Sequence, residues 1–158
     1  MVLNVRWRFR MMSKGTPRLV WLIASLLIGL SLTACMPSSS TKSQLPVFPL
    51  GQLPAEIQAA PPIVREAYQF AAANPDILKE IPCYCGCGSI GHLSNYDCYV
   101  SEVNADGELI FDPHGLGCSI CVDITRDVMR YLDEGKSLSE IQASIQVNYA
   151  KYGPPTTP

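Results

Sequence analysis

The first 34 residues of this 158-residue sequence contain no acidic side chain, although fourteen acidic residues follow them. The basic residues of this stretch are Arg6, Arg8, Arg10, Lys14 and Arg18. An apolar run follows from Leu19 to Leu32, and its 14 residues fall short of the roughly 20 that a spanning helix needs. This layout is typical of a secretory signal peptide and disfavours an uncleaved membrane anchor. We therefore exclude residues 1–34 from the fold.

Basic side chains are scarce in the rest of the chain. After position 34, seven lysines and arginines stand against fourteen acidic residues, which gives a formal charge of −7. An acidic surface argues against nucleic acid as a partner and against a polybasic second contact with a membrane. Metal cations remain compatible partners. The sequence has no internal repeat. The roughly 100 residues after the signal segment and the stretch that follows it are enough for one small domain.

The signal segment ends in the sequence LTAC, Leu32 to Cys35. This sequence resembles the lipobox of bacterial lipoproteins, which implies that Cys35 is the lipidated first residue of the mature protein. We therefore expect a lipid-anchored protein on the extracytoplasmic face of a bacterial membrane. Residues 35–55 are rich in serine and proline and are expected to form a flexible tether. A cysteine-rich helical domain is expected over 56–153, with a tail over 154–158.

Patterns within the domain predict a mainly α fold with one short β-hairpin. The stretch PPIVREAYQFAAANP has apolar residues near helical spacing, and Asn74 should end this helix and cap a short one reaching Ile81. A second apolar stripe runs from Cys118 to Glu134, and SLSE at 137–140 is a capping box that opens a last helix. The segments CYVSEV and ELIF flank NADG, which predicts a hairpin with Gly107 at a positive φ.

All the thiols and imidazoles of the domain fall between positions 83 and 121, and the sequence PCYCGCG alone supplies three of them. Cysteines two apart fit the dihedral of a disulfide poorly, so a disulfide framework would require each of the three to pair with a distant partner. One interpretation of the domain is therefore a lipoprotein that is stabilised by disulfides and binds another protein. In an extended segment the same three side chains share a face and can converge on a metal ion. The candidate metal ligands are Cys83, Cys85, Cys87, Cys98, Cys118 and Cys121, with His92 and His114 second.

Thiolates select Cu(I), zinc and iron–sulfur centres over calcium or magnesium. Iron–sulfur is disfavoured, because assembly outside the cytoplasm would require export of a folded cluster. Zinc typically takes four ligands with C-x₂₋₄-C spacing, which Cys118 and Cys121 satisfy and the C-x-C-x-C run does not. Cu(I) accepts two or three thiolates and allows sulfur to bridge ions. We therefore expect a metal-binding domain with Cu(I) favoured and zinc as the alternative.

Cys118 and Cys121 also open a predicted helix, where unpaired amides stabilise a thiolate, so they are a candidate redox pair. Residues 118–153 resemble the thiol oxidoreductase module of cytochrome c maturation: a C-x-x-C, a helix, a GKS turn, a second helix and a terminal YG. That module does not account for the cysteines of 83–98. The pair therefore supports a second hypothesis, a thiol-disulfide oxidoreductase.

Four segments together resemble the bacterial family named for its PCYCGC motif, whose members are often predicted lipoproteins. They are IPCYCGCG, GHLSNYDCYV, DPHGLGCSIC and EGKSLSEI. The resemblance places the eight candidate ligands at positions of the family pattern, but it implies no activity.

The remaining polar residues leave alternatives open. His92 is either a ligand or a polar residue that satisfies backbone groups after a glycine turn, and Asp112 either orients His114 or forms a simple turn. Met129 is expected in the core. Metal capture, delivery or sequestration, with a protein partner for delivery, requires no catalytic turnover.

Overall fold

The computed structural model describes residues 45–156, which lie within one contact unit of the chain. Six helices and one two-stranded hairpin follow in order along this part of the chain. The helices are α1 (Ala55–Gln58), α2 (Pro62–Ala73), α3 (Pro75–Leu78), α4 (His114–Gly117), α5 (Ser119–Asp133) and α6 (Leu138–Tyr149), and the strands are β1 (Val100–Val103) and β2 (Leu109–Phe111). The prediction of a small, mainly α domain with a cysteine-rich loop and a short hairpin is confirmed.

The long helices form the core because each carries an apolar stripe on one face. Helix α5 packs against both α2 and α6. From α5, Ile124 and Val128 are fully buried, as are Ile141 and Ile145 of α6. Met129 is partly buried against this core, which agrees with the packing role expected of it. The core therefore holds α5 rigidly, and the first turn of α5 carries Cys121.

The hairpin and two short helical turns lie between α3 and α4. Strands β1 and β2 are antiparallel, with Val100 opposite Phe111 and an irregularity between Val100 and Glu102. Gly107 has a φ of +83°, as the turn prediction required. The 3₁₀ turns Cys87–Ile90 and Tyr96–Cys98 fill the rest of this region, which connects the cysteine loop to the hairpin.

Local sequence signals predicted most helix ends correctly. Cys118 is the N-cap of α5, Gly135 follows its end at φ +79°, and the capping box between Ser137 and Glu140 is formed in both directions. Asn74 ends α2 and takes the N-cap position of α3 as predicted, but its side chain makes no capping bond, and α3 ends at Leu78 instead of the predicted Ile81. The Nδ2 of Asn74 instead donates to the carbonyl oxygens of Pro46 and Phe70.

The two ends of the described segment both pack onto the domain. Phe48 exchanges hydrogen bonds with Gln69 of α2, so the expected tether overlaps packed chain from residue 45 onward. At the other end, the Thr156 amide donates to the Cys83 carbonyl, and the Cys83 amide donates to Thr156 Oγ1, both at 2.8 Å. We call residues 153–156 the C-terminal strap. The strap is part of the folded domain because it pairs with the cysteine loop.

Three expectations lie wholly or partly outside the described residues: the signal peptide over 1–34, the lipidated Cys35, and the tether as far as residue 44. Between residues 45 and 156, no helix has the length and apolar character needed to cross a membrane.

Candidate metal centre

Four separate segments bring the predicted ligands to one place beneath the N-terminal end of α5. The loop after α3 provides Cys83, Cys85 and Cys87, and the 3₁₀ turn before β1 provides Cys98. The short helix α4 begins at His114, and Cys118 and Cys121 cap and open α5. His92 follows the first 3₁₀ turn, and its amide donates to the Cys87 carbonyl. All eight predicted residues therefore belong to one connected cluster of donor atoms.

The loop converges for a different reason from the one expected. An extended run would place alternate side chains on one face, but residues 82–86 have no strand structure and Cys87 begins a 3₁₀ turn. Gly86 has a φ of +85°, a conformation that residues with a Cβ rarely adopt. The sulfurs of Cys83 and Cys85 are 3.5 Å apart, and Cys87 joins them within 4.8 Å. The turn at Gly86 therefore bends the chain between Cys85 and Cys87, where the expected strand alternation does not continue.

Cys121 lies at the middle of the sulfur cluster. Its Sγ is 3.1 Å from that of Cys118, 3.2 Å from that of Cys98, and 3.5 Å from those of Cys83 and Cys85. Cys83 and Cys85 are themselves 3.5 Å apart, so these two sulfurs and Cys121 form a triangle with equal sides. Cys121 is fully buried in the first turn of the best-packed helix, which fixes the position of the triangle.

These separations suit coordination better than covalent pairing. A disulfide joins two sulfurs at about 2.05 Å, and no pair among the six thiols between residues 83 and 121 is bridged. Ligand sulfurs about 2.3 Å from a tetrahedral metal stand roughly 3.8 Å from one another. The sulfurs that contact one another here are 3.1 Å apart for Cys118 and Cys121 and up to 3.8 Å apart for Cys87 and Cys98. The donor set is therefore close to the size of a metal shell, and its chemistry fits a thiophilic ion.

The two histidines approach the sulfurs from one side. His114 Nε2 lies 3.5 Å from Cys85 Sγ, and the two imidazole rings meet edge to face with centroids 5.1 Å apart. Of the two roles considered for Asp112, the structure shows the turn and no contact with the His114 ring. The Asp112 carboxylate accepts the His114 backbone amide at 2.7 Å and lies 3.7 Å from Nε2 of His92.

Among the buried side-chain nitrogen and oxygen atoms of residues 45–156, His92 Nδ1 is the one without a hydrogen-bond partner. The His92 side chain is only 10% exposed. A buried nitrogen without a partner costs free energy unless a ligand fills the gap. With Nε2 facing Asp112, Nδ1 is free to bind a metal, which is the arrangement that carboxylates impose on metal-ligating histidines. This observation favours ligation by His92 over a purely structural role.

Crowding changes the acidity of the thiols. Hydrogen bonds from the thiols of Cys121 and Cys98 lower the pKa of Cys83 well below its usual range. The pKa of Cys121 is raised, chiefly because its thiol donates to Cys83. Burial raises the pKa of Cys85 and Cys87. A cation bound by these thiols would displace their protons.

A buried network of uncharged polar groups supports the first turn of α5 from behind. Asn95 Nδ2 donates to the Cys121 carbonyl at 3.3 Å. Thr125 Oγ1 donates to Asn95 Oδ1 at 2.6 Å and accepts from the Tyr99 hydroxyl at 2.8 Å. Asn95, Tyr99 and Thr125 are fully buried, so the network fixes the backbone that carries Cys121.

One side of the cluster is open. A surface cavity of about 520 Å³ is lined by Ile90, Asp112, Pro113, His114, Gly117 and Cys118. Cys118, His114 and Cys85 are half-buried, whereas Cys83, Cys87, Cys98 and Cys121 are buried. A ligand from solvent therefore reaches the cluster through the side formed by His114 and Cys118.

Comparison with family models matches residues 37–158 to the family described as a protein of unknown function with PCYCGC motif. This protein belongs to the PCYCGC family. The match confirms the resemblance seen in the sequence, and the motif that defines the family is the loop that supplies three of the six sulfurs. The comparisons with curated proteins and with solved structures each found no match.

Sequence reasoning missed the residues that hold the PCYCGC loop in place. Thr156 is 73 positions away from Cys83, and no local signal links the two residues. Gly153 also lies against the loop, where a Cβ would come within 2.9 Å of the Tyr84 carbonyl oxygen. Only a glycine in the sequence GPPTTP hinted at a tight contact, and nothing indicated its partner.

Proposed function

We propose that this protein captures a thiophilic metal ion, Cu(I) in the first place and zinc as the alternative, outside the bacterial cytoplasm. Lipid attached to Cys35 would hold the domain at the membrane surface. The observation that carries the proposal is the convergence of six unbridged thiols and two imidazoles within one cluster, with His92 Nδ1 buried and unpartnered. Capture, sequestration or delivery to a protein partner requires no catalytic turnover.

Cu(I) is favoured over zinc by the proportion of sulfur. Soft thiolates select Cu(I), and a sulfur can bridge two ions when thiolates are in excess over the needs of one. Zinc needs four donors, and the set Cys85, His114, Cys118 and Cys121 supplies them within 4.8 Å. Both ions therefore fit the donor chemistry, and their relative affinity must be measured.

The test is metal binding by the full chain, purified in detergent under anaerobic, reducing conditions. Cu(I) is offered in competition with a chromogenic chelator, zinc is offered in a parallel series, and bound metal is measured by elemental analysis. We expect at least one equivalent of Cu(I) per chain, together with protection of the thiols of residues 83–121 from alkylation. No bound metal, with all six thiols alkylated, would refute the proposal.

Anchoring at Cys35 is tested separately. Cells that express the full chain are fed a labelled fatty acid, and the protein is recovered and examined for label. We expect label on the natural sequence and none on Cys35→Ser. Equal labelling of the two chains, or label on neither, would refute a lipid anchor at this residue.

A second function has one observation in its favour. Cys118 and Cys121 have their sulfurs 3.1 Å apart at the start of α5, and Cys118 is half-buried at the open cavity, as a redox-active pair requires. The reduction potential of this pair in the metal-free protein, measured in glutathione buffers, tests the idea. A potential below about −300 mV would mark an ordinary structural disulfide and exclude an oxidoreductase.

A further inference from the structure

The eight donor atoms exceed what one ion can use, and they divide by position into two sets. We infer that the cluster holds two metal ions side by side, an outer ion at the cavity and an inner ion beneath it, joined at Cys121. This inference rests on the proposed function and adds the number, place and accessibility of the ions.

The outer set consists of Cys85, His114, Cys118 and Cys121. One donor atom from each lies within 4.8 Å of the other three. Three sulfurs and one imidazole nitrogen complete a four-coordinate shell without any further residue. Cys118 and His114 also line the open cavity, so an ion held here faces solvent.

The inner set consists of Cys87, His92 and Cys98, with Cys83 beside them. Cys87 and Cys98 have their sulfurs 3.8 Å apart, and His92 lies within 4.8 Å of both. The sulfur of Cys83 lies within 4.8 Å of the sulfur of Cys87 and also within 4.8 Å of the sulfur of Cys98. The residues that carry these three sulfurs are at most 3% exposed, and His92, whose buried Nδ1 has no hydrogen-bond partner, belongs to this set. The observation that calls most directly for a ligand therefore comes from the donors that the outer set does not use.

The two sets meet at Cys121 and at the 3.5 Å contact between the sulfurs of Cys83 and Cys85. The Sγ of Cys121 is 3.1 Å from that of Cys118 in the outer set and 3.2 Å from that of Cys98 in the inner set. The sulfurs of Cys83, Cys98 and Cys121 also lie within 4.8 Å of one another. A thiolate has lone pairs for two ions, which is how sulfur-rich sites accommodate more than one soft cation. His114 lies within 4.8 Å of members of both sets, so it is not used below to separate them.

The experiment counts ions and times their release. The full chain in detergent is loaded with Cu(I), its stoichiometry is measured by native mass spectrometry, and a water-soluble Cu(I) chelator then extracts the metal. We expect two ions per chain and two release phases separated by about tenfold or more, because release of the inner ion requires local opening of the fold. Cys118→Ser should leave one ion with the slow phase, and His92→Gln should leave one ion with the fast phase. The exposed neighbour Ser119→Ala is the control and should keep both.

Each result decides something. Saturation of the natural sequence at one ion would overturn the two-ion inference and leave the proposed function standing, whereas no bound ion would overturn both. Two ions released in a single phase would overturn the division into outer and inner positions, as would loss of both ions from either folded variant. Because the stoichiometry and release phases of the natural sequence are sufficient, a variant that fails to fold does not remove the test.

Discussion

Among the single residues of the candidate metal centre, Cys121 makes the contacts that connect the other sulfurs to α5. Four sulfurs lie within 3.5 Å of its own, and its carbonyl oxygen accepts from Asn95 behind the helix. A side chain in so many contacts must be held still by its surroundings. Thr125, one turn later in α5, does this because its hydroxyl joins Asn95 to Tyr99.

Replacing Thr125 with valine should therefore destabilise the domain while its shape is kept. The change leaves Asn95 Oδ1 and the Tyr99 hydroxyl buried without partners, which costs about 1–3 kcal/mol. Urea denaturation of the metal-free chain measures the loss. Thr125→Ser keeps the hydroxyl and is the matched control, expected to be the milder change. Equal losses in the two variants would mean that the methyl group, and not the network, matters at this position.

At the scale of elements, the PCYCGC loop depends on one backbone conformation. Gly86 turns the chain between Cys85 and Cys87, and the strap fixes the loop at Cys83. No helix or strand forms the loop, so its shape comes from this turn and from its contacts. The loop is therefore the element in which a change of backbone should reach the metal most directly.

Gly86→Ala and Gly107→Ala make a matched pair that separates strain from function. Both glycines have φ near +84°, at +85° and +83°, and neither has an atom within 4 Å of an added Cβ. Each substitution should cost about 1–2 kcal/mol of stability, since the left-handed conformation is strained for alanine. Only Gly86→Ala should also weaken Cu(I) binding, measured by chelator competition. Equal metal affinity in the two variants would contradict the role given to the turn.

At the scale of the whole molecule, a core of ordinary apolar packing adjoins a second buried centre made of thiols. The two are continuous, because Cys83, Cys98 and Cys121 pack within the apolar core cluster. The metal-free domain consequently keeps several ionisable groups inside it, and its stability depends on their protonation.

Alkaline pH should therefore destabilise the metal-free domain. Cys85, Cys87, Cys98 and Cys121 have raised pKa values in the fold, so the folded chain keeps protons that the unfolded chain releases above about pH 8.5. Below that pH these four thiols are protonated in both states and contribute no change. Cys83 acts in the opposite sense because its pKa is lowered, but it is one thiol against four. The free energy of unfolding should thus fall from pH 8.5 to 10, as urea denaturation under reducing conditions would show.

Bound metal should change this dependence. Coordination requires deprotonated thiols, so metal affinity rises with pH over the range in which the empty domain weakens. The matching measurement is the same denaturation series with Cu(I) present. Stability of the metal-free domain that is flat or increasing between pH 8.5 and 10 would contradict the assignment of raised pKa values.

Sequence patterns predicted what local signals control. The stripe of α5, the capping box at Ser137 and the turn at Gly107 each depend on neighbours within a few residues, and each is confirmed. Asn74 takes the capping position, but its side chain is held by the carbonyl oxygens of Phe70 and Pro46, and Pro46, 28 residues away, lies beyond any local signal. The approach of the eight candidate ligands could be suspected from their concentration in the sequence. Their division into two sets could not, because it depends on how the loop, α4 and α5 meet in space.

The strap also orders events in time. Cys83 donates its amide to Thr156 and accepts the amide of Thr156 in return, although Thr156 comes 73 residues later in the chain. A chain that stops between Cys121 and Thr156 already has every sulfur of the cluster but lacks this support for the motif loop. The thiol pocket thus acquires its finished shape only after residue 156 has been added and has docked, and an ion that arrives earlier meets an unfinished site.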